Sequence, residues 1–227
     1  MRSCFIGVDL GQSRDFTAIA VVERRLVTGE WDPVAYSWKK EARLELRYLE
    51  RLTLGMTYPE IVERVVQVTR SPALGDKKRL VVDGTGVGRP VVDLLRRARP
   101  GCLIMAALIT GGETESMSEG YYRIPKRDLI TGLQVLLQTG RLRIAAKLEH
   151  ARTLVGEMRE MRVKVSPSGR EQYGAWREGT HDDLVLATAL ACWAVRKVHP
   201  DESRGEGRWR RHEDEWEAQR ALRKALL

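Results

Sequence analysis

The stretch CFIGVDLGQSRDFTAIAVV, residues 4–22, decides how the fold begins, because it contains two apolar runs joined by a short polar turn. Residues 5–10 are apolar except for Asp9, which is typical of a fully buried strand. Residues 17–22 are also apolar, and the turn before them predicts that they return beside the first strand. Residues 31–38 predict a third strand. Three strands joined by short turns indicate an antiparallel meander.

Helices and strands alternate after this meander. The pattern predicts a helix over 58–70, a strand over 79–83, a helix over 91–99 and a strand over 102–110, and a strand–helix–strand run of this kind places its strands parallel. A polar loop is expected over 111–120. The remaining predictions are a helix over 125–139, an edge element over 141–144, a helix over 148–161, a hairpin over 163–176 and a last helix from about 180 to 198.

The fold class that follows is α/β, with a mixed sheet flanked by helices. The antiparallel meander comes first and an acidic helix comes last, an order that resembles the RNase H-like folds. Periodicity alone does not give the exact topology.

Carboxylates occur at three points where the chain is otherwise apolar. Asp9 lies near the end of the first strand, Asp83 ends the strand in RLVVDGTGVG, and Asp182 and Asp183 open the last helix. Buried aspartates lose hydration, and clustered ones repel each other. A shared divalent cation would relieve both effects, since Mg²⁺ and Mn²⁺ prefer oxygen ligands.

We therefore predict a metal site assembled from distant parts of one domain, with Asp183 as the inward ligand. Asp182 is more ambiguous, because it either caps the helix or contacts a second ion. Each acid taken alone has a simpler interpretation: an aspartate after a strand is usually a turn residue, and His-Asp-Asp before a helix is usually a cap. His181 could transfer a proton, but a histidine at a helix entry is more often only a polar neighbour.

The positive charge is unevenly distributed. The whole chain carries 39 Lys and Arg against 31 Asp and Glu, a net +8, and residues 121–170 hold eleven of the cations against four acids. A basic face beside clustered carboxylates favours a polyanionic substrate, with nucleic acid as the first candidate. The residues expected to contact DNA phosphates are Lys126, Arg127, Lys164 and Arg170. A merely solvated basic surface is the alternative interpretation.

Cysteine spacing and hydrophobicity indicate the cellular compartment, and a change in composition near residue 198 indicates where the domain ends. The three cysteines are far apart and form no metal-binding spacing, so we expect reduced, buried thiols. No apolar segment is long enough to span a bilayer and no signal peptide is recognisable, so a cytoplasmic protein without a membrane partner is expected. Residues 1–198 should form one RNase H-like domain, and 199–227 a charged tail capable of forming a helix.

Four segments together resemble the C-terminal nuclease domain of phage large terminase subunits. They are GVDLGQSRDFTAIAVVE (7–23), RLVVDGTGVGRPVVDLL (79–95), YRIPKRDLITGLQVLLQTGRLRI (122–144) and HDDLVLATALA (181–191). The resemblance implies an RNase H-like fold and cleavage of double-stranded DNA with two divalent cations, Mg²⁺ or Mn²⁺. It assigns the metal-binding acids to Asp9, Asp83 and Asp183, with Asp182 as an accessory ligand.

One departure from that family bears on function. Large terminases carry an ATPase domain ahead of the nuclease, whereas this sequence has no GxxxxGK[ST] loop. A separate packaging ATPase or another terminase subunit is therefore an expected partner. The alternatives are a Holliday-junction resolvase-like nuclease, a fragment of an actin-like ATPase (suggested by DLGQ and DGTG), and a non-catalytic DNA-binding packaging subunit.

Overall fold

The computed structural model describes residues 2–11, 15–86, 88–165, 171–174 and 181–198. These residues form one eight-stranded sheet, a separate two-stranded hairpin and five α-helices. The strands are β1 (Arg2–Asp9), β2 (Ala18–Asp32), β3 (Ser37–Arg51), β4 (Lys78–Asp83), β5 (Leu103–Thr110), β6 (Ser116–Ser118), β7 (Tyr121–Pro125), β8 (Leu142–Ile144), β9 (Arg162–Val165) and β10 (Glu171–Gly174). The helices are α1 (Tyr58–Thr69), α2 (Gly88–Ala98), α3 (Lys126–Gln138), α4 (Ala151–Glu160) and α5 (Asp183–Arg196), and a 3₁₀ turn covers Pro72–Leu74.

The sheet is mixed, as the sequence predicts. Its strand order is β6-β7-β5-β4-β1-β2-β3-β8. The strands β1, β2 and β3 are antiparallel neighbours, and β4 and β5 continue the sheet parallel to β1. The predicted fold class is confirmed, including the meander at the start and the acidic helix at the end. The predicted hairpin is present as the antiparallel pair of β9 and β10.

Two predicted elements are wrong. The third strand does not cover 31–38, because the chain reverses there: one carboxylate oxygen of Asp32 accepts hydrogen bonds from the Val34 and Ala35 amides, at 3.0 and 3.1 Å. This turn joins two 15-residue strands, and Trp31 faces Trp38 across it. The segment 111–120 is not wholly a loop either, since it contains β6, which pairs with β7.

A β-bulge in β3 changes which side chains face each side of the sheet. Val21 pairs with Tyr48 and Val22 with Leu46, so Arg47 has no partner in the register. Side chains of a regular strand alternate between faces, and an extra residue shifts this alternation. Tyr48 and Leu52 therefore face the core cluster formed with α1 and α2. Arg51 faces the other side of the sheet, where α5 lies.

Helix α5 packs directly on β1 through a glycine. A Cβ atom at Gly7 would lie 2.0 Å from the carbonyl oxygen of Ala187 and 2.8 Å from the amide nitrogen of Ala191. The close approach is possible only because small residues meet on both elements. Since Gly7 and Asp9 are two residues apart, they point to the same face of β1. The helix N-terminus is thereby placed over the end of the strand that carries Asp9.

Residues Met1–Val195 form one compact unit, and the second unit, Arg196–Leu227, is described only as far as residue 198. The division into a domain over 1–198 and a tail over 199–227 stays a prediction. Within the described part of the chain, no helix has both the length and the apolar character needed to cross a membrane.

Candidate metal centre

Asp9 and Asp83 lie side by side at the same edge of the sheet. The parallel register between β1 and β4 pairs Val8 with Val82, so the next residue on each strand is an aspartate. Neighbouring strands are about 4.8 Å apart, which puts the two backbones within reach of one shared ligand. Both side chains are buried, with 9 % of each residue exposed.

The Asp9 carboxylate is in an unfavourable environment for a negative charge. Its burial raises its pKa well above the ordinary value, and the carboxylates of Asp83, Asp182 and Asp183 raise it further, while Lys126 lowers it. None of the described side chains donates a hydrogen bond to it. Four acids from three parts of the sequence are thus close enough to interact.

Asp83 is oriented by the turn that follows its strand. One of its carboxylate oxygens accepts hydrogen bonds from the Thr85 amide at 2.9 Å and the Thr85 hydroxyl at 2.5 Å. That hydroxyl in turn accepts a hydrogen bond from the Ile109 amide on β5 at 2.8 Å. Burial raises the pKa of Asp83, and the hydrogen bonds from Thr85 partly offset the rise.

Asp183 is the first residue of α5, and its carboxylate forms an ion pair with Arg51. The Nε of Arg51 lies 2.8 Å from one carboxylate oxygen of Asp183, and a terminal nitrogen lies 3.4 Å from the other. The same guanidinium pairs with Glu157 on α4. Burial raises the pKa of Asp183, and Arg51 opposes that rise. Asp183 is therefore the inward-facing member of the pair, and only 4 % of it is exposed.

Asp182 precedes the helix and is more accessible. Its carbonyl accepts the first helical hydrogen bond, from the Leu186 amide at 2.8 Å, so it is the N-cap residue. Its carboxylate pairs with the ammonium of Lys126 at 2.7 Å. His181 lies beside this position, with Nδ1 3.9 Å from Asp183, and its ring packs edge-on against Phe16.

The donor set fits a hard divalent cation, but the carboxylates do not surround one point. Carboxylate oxygens are the ligands that Mg²⁺ and Mn²⁺ require, and burial with mutual repulsion favours any added positive charge. In the described ranges, however, no three His, Cys, Asp or Glu side chains converge as a metal-ligating group. Two of the four acids are instead paired with Arg51 and Lys126.

The other predicted residues divide into two groups. Lys126 lies beside the acids, and Arg127 is its half-exposed neighbour at the start of α3, with a contact to the Glu113 carbonyl at 3.4 Å. The backbone of Lys164 belongs to β9, but its side chain is not described, and Arg170 falls outside the described residues. Their contact with DNA stays a prediction, as does the metal-binding role of the acids.

The structure adds three residues that the sequence argument missed: Arg51, Thr85 and Glu157. A local signal existed for two of them. Thr85 follows Asp83 in a DGT turn, where an aspartate commonly bonds the backbone two residues ahead. Glu157 interrupts the apolar face of its helix three residues after the buried Leu154. Arg51 had no such signal, because its orientation depends on the bulge in β3.

The chain is similar to several solved phage proteins. The large terminase nuclease from thermophilic phage G20c, with bound magnesium, aligns with a TM-score of 0.57 and 23 % identity over 85 % of this chain and 81 % of that one. The large terminase nuclease domain of Thermus phage P74-26 aligns with a TM-score of 0.53 and 21 % identity over 84 % and 78 %. The fold is that of the large terminase nucleases.

The same terminase nuclease fold is found at still lower identity. The nuclease domain of the large terminase subunit gp2 of bacterial virus Sf6 aligns with a TM-score of 0.54 and 13 % identity, over 84 % of this chain and 87 % of that one. No protein-family model and no curated protein sequence matches the chain. The resemblance predicted from the four sequence segments is confirmed at the level of the fold.

Proposed function

We propose that this protein is a metal-dependent endonuclease that cleaves double-stranded DNA, related to the nuclease of phage packaging terminases. The observation that carries the proposal is that four carboxylates, from β1, β4 and the start of α5, lie close enough to repel one another at one edge of a terminase nuclease fold. Such an edge, beyond the carboxyl ends of parallel strands, is where ligands commonly bind in α/β proteins.

Each acid has a defined part in the proposed reaction. Asp9 and Asp83 would hold one divalent cation between neighbouring strands, and Asp183, with Asp182 beside it, would complete the site from α5. Two bound cations would activate a water molecule and stabilise the leaving 3′ oxygen of an in-line phosphodiester displacement. Thr85 would keep Asp83 in a fixed orientation through its two hydrogen bonds. No covalent intermediate with the protein is required.

Solved relatives support a divalent cation without selecting one. The G20c nuclease is described with magnesium and with zinc, and the Sf6 domain with manganese and with calcium. We propose Mg²⁺ or Mn²⁺ as the working cations, because all four predicted ligands are carboxylates and none is a thiol or an imidazole. The expected partners are duplex DNA and a packaging ATPase or another terminase subunit, in the cytoplasm of a phage-infected cell.

The first prediction concerns cleavage itself. The purified protein should cut linear and supercoiled duplex DNA when Mg²⁺ or Mn²⁺ is present, and EDTA should stop the reaction. Asp83→Asn should lose activity by a factor of 100 or more, because it removes one charge from the cation site while keeping the side-chain shape. Gel assays on linear, supercoiled and four-way junction DNA measure this.

The outcomes of this assay separate the candidate functions. Preferential cutting of the four-way junction would indicate a resolvase-like nuclease. DNA binding without any metal-dependent cleavage would contradict the proposed activity and indicate an assembly subunit. Full activity in a folded Asp83→Asn protein would show that Asp83 is not required as a metal ligand.

A further inference from the structure

The guanidinium of Arg51 binds Asp183, a carboxylate that must be accessible if it is to bind a metal ion. It contacts both carboxylate oxygens of Asp183, at 2.8 and 3.4 Å, and pairs with Glu157 at the same time. The Arg51 side chain is only 16 % exposed, and its guanidinium lies 4.7 Å from the centre of the Phe16 ring. Phe16 therefore supports the guanidinium in this orientation.

A divalent cation and Arg51 would both bind the Asp183 carboxylate. Direct coordination needs a lone pair on at least one carboxylate oxygen, and the Arg51 guanidinium already lies 2.8 and 3.4 Å from the two oxygens. Positive charges at such short range also repel, more strongly in a buried site than in water. A cation that binds Asp183 must therefore weaken or displace at least part of the Arg51 contact.

Glu157 offers Arg51 a second acceptor that does not belong to the proposed ligand set. It is buried on α4, and its other carboxylate oxygen accepts a hydrogen bond from the Val185 amide at 3.2 Å. This bond fixes Glu157 next to the start of α5. Arg51 can thus release Asp183 and remain paired, so the buried guanidinium is never left without a counter-charge.

We propose that Arg51 is a positioning residue that takes the place of a cation at Asp183 in the metal-free protein, and that Glu157 retains Arg51 when a divalent ion binds. This inference rests on the proposed function, because it assumes that Asp183 is a metal ligand. It predicts that Arg51 sets how much divalent cation the site needs. It also accounts for how the buried charge of Asp183 is balanced in a folded protein without metal.

Mn²⁺ binding tests the inference without reference to cleavage. Free Mn²⁺ would be titrated by electron paramagnetic resonance at the same pH, about 8, in every variant. Arg51→Met keeps most of the side-chain volume and removes the charge, so the Kd for Mn²⁺ should fall on the order of tenfold. Glu157→Gln keeps an acceptor oxygen but removes the negative charge that attracts Arg51, so Arg51 should favour Asp183 and the Kd should rise.

The double variant separates this coupling from a direct effect of the Glu157 charge. If Glu157 acts through Arg51, Glu157→Gln should change the Kd in the wild-type background and leave it unchanged in the Arg51→Met background. Arg51→Lys keeps the charge but lacks the planar fork that spans two carboxylates, and its Kd should lie between those of the wild type and Arg51→Met. A purely structural role for Arg51 would instead weaken Mn²⁺ binding in Arg51→Met and Arg51→Lys alike.

The inference is overturned if folded Arg51→Met binds Mn²⁺ no more tightly than the wild type, or if Glu157→Gln has the same effect in both backgrounds. Should Arg51→Met fail to fold, Arg51→Lys takes its place as the second background, and an effect of Glu157→Gln that is equal in both backgrounds overturns the inference. Wild-type Mn²⁺ binding that Asp9→Asn abolishes but Arg51→Met does not alter would overturn this inference only. Absence of Mn²⁺ binding in the wild type and in Arg51→Met would overturn the proposed function as well.

Discussion

At the scale of single residues, Asp9 is the acid of the site whose negative charge is least compensated. It is buried between a neighbouring carboxylate on β4 and two more at the start of α5, and the described residues donate no hydrogen bond to it. Asp83 and Asp183 experience the same burial but are compensated by Thr85 and Arg51 respectively. The ionised form of Asp9 therefore destabilises the metal-free fold more than that of either other acid.

Asp9→Asn should stabilise the metal-free protein and abolish metal binding. The pKa of Asp9 is raised in the folded state, so its contribution to stability is full below the unfolded value of about 4 and is lost as the pH rises through the folded pKa. The gain from Asp9→Asn should therefore appear near neutral pH and vanish in acid. Each 1 kcal/mol gained corresponds to about 2–4 °C in melting temperature for a domain of this size.

Asp83→Asn provides the matched comparison in the same melting experiment, with EDTA present. Its gain should be smaller, because an asparagine amide cannot reproduce both hydrogen bonds that the Asp83 carboxylate accepts from Thr85 with equal strength. A lower melting temperature for Asp9→Asn at neutral pH would show that Asp9 stabilises the fold and does not bear unrelieved charge.

At the scale of secondary-structure elements, the contact between β1 and α5 determines where the acids meet. Asp9 and Asp183 are 174 positions apart in the sequence, and they approach because α5 lies on Gly7 with no side chain between them. The helix contributes Ala187 and Ala191 to this contact. The bulge at Arg47 has a comparable effect on β3, since it turns Arg51 toward the same face.

Gly7→Ala should destabilise the protein by about 1–3 kcal/mol or more and weaken metal binding at the same time. The added methyl group would overlap backbone atoms of α5, and the helix can escape only by moving away from Asp9. Thermal melts and Mn²⁺ titration on the same samples would measure both effects.

Gly156→Ala is the control for this substitution, because nothing lies within 4 Å of a Cβ atom at Gly156, in the interior of α4. Alanine has the higher helix propensity, so this variant should be neutral or up to about 1 kcal/mol more stable, with unchanged Mn²⁺ affinity. Equal behaviour of the two alanine variants would refute the role assigned to Gly7.

At the scale of the whole molecule, the net charge of +8 favours attraction of a polyanion, and the excess lies in residues 121–170. The start of α3 brings part of this stretch to the acids, since Lys126 pairs with Asp182. Lys126 is therefore part of the acidic site, while Arg127 is more exposed, although its Nε lies 3.6 Å from Asp128. The long β2–β3 ribbon carries Lys39 toward its tip, at the end of β3 opposite to Arg51.

Neutralising a phosphate contact should weaken binding to all duplex sequences alike. Arg127→Ala, Lys164→Ala and Arg170→Ala should each reduce the slope of log K against log salt concentration by roughly 0.9. Fluorescence anisotropy with duplex DNA, with Ca²⁺ present to suppress cutting, measures the slope.

Lys39→Ala is the matched control, because it removes the same charge at the far end of the ribbon. It should leave the slope unchanged. If the three variants behave like this control, the basic stretch is an ordinary solvated surface and DNA approaches the acids from another side.

Local sequence patterns were enough to predict the order of most elements and the three acidic positions. Apolar runs, helix periodicity and turn residues are local signals, so β1, α1, β4, α2, β5, α3 and α5 could be predicted near their observed bounds. An aspartate inside an apolar run is also a local signal, and it identified Asp9 and Asp83. The strand over 31–38 was wrong because the Asp32 turn competes with the apolar pattern around it.

The groups that surround those acids depend on contacts between elements that lie far apart in the sequence. Arg51 reaches Asp183 because a bulge shifts the alternation of β3, and Glu157 joins them because α4 packs beside the start of α5. The contacts of Arg51 with Asp183 and with Glu157 each link residues more than 100 positions apart. Periodicity indicates which side chains share a face of one element. The pairings of Arg51 and Glu157 depend instead on register and packing between elements, and no local pattern contains that information.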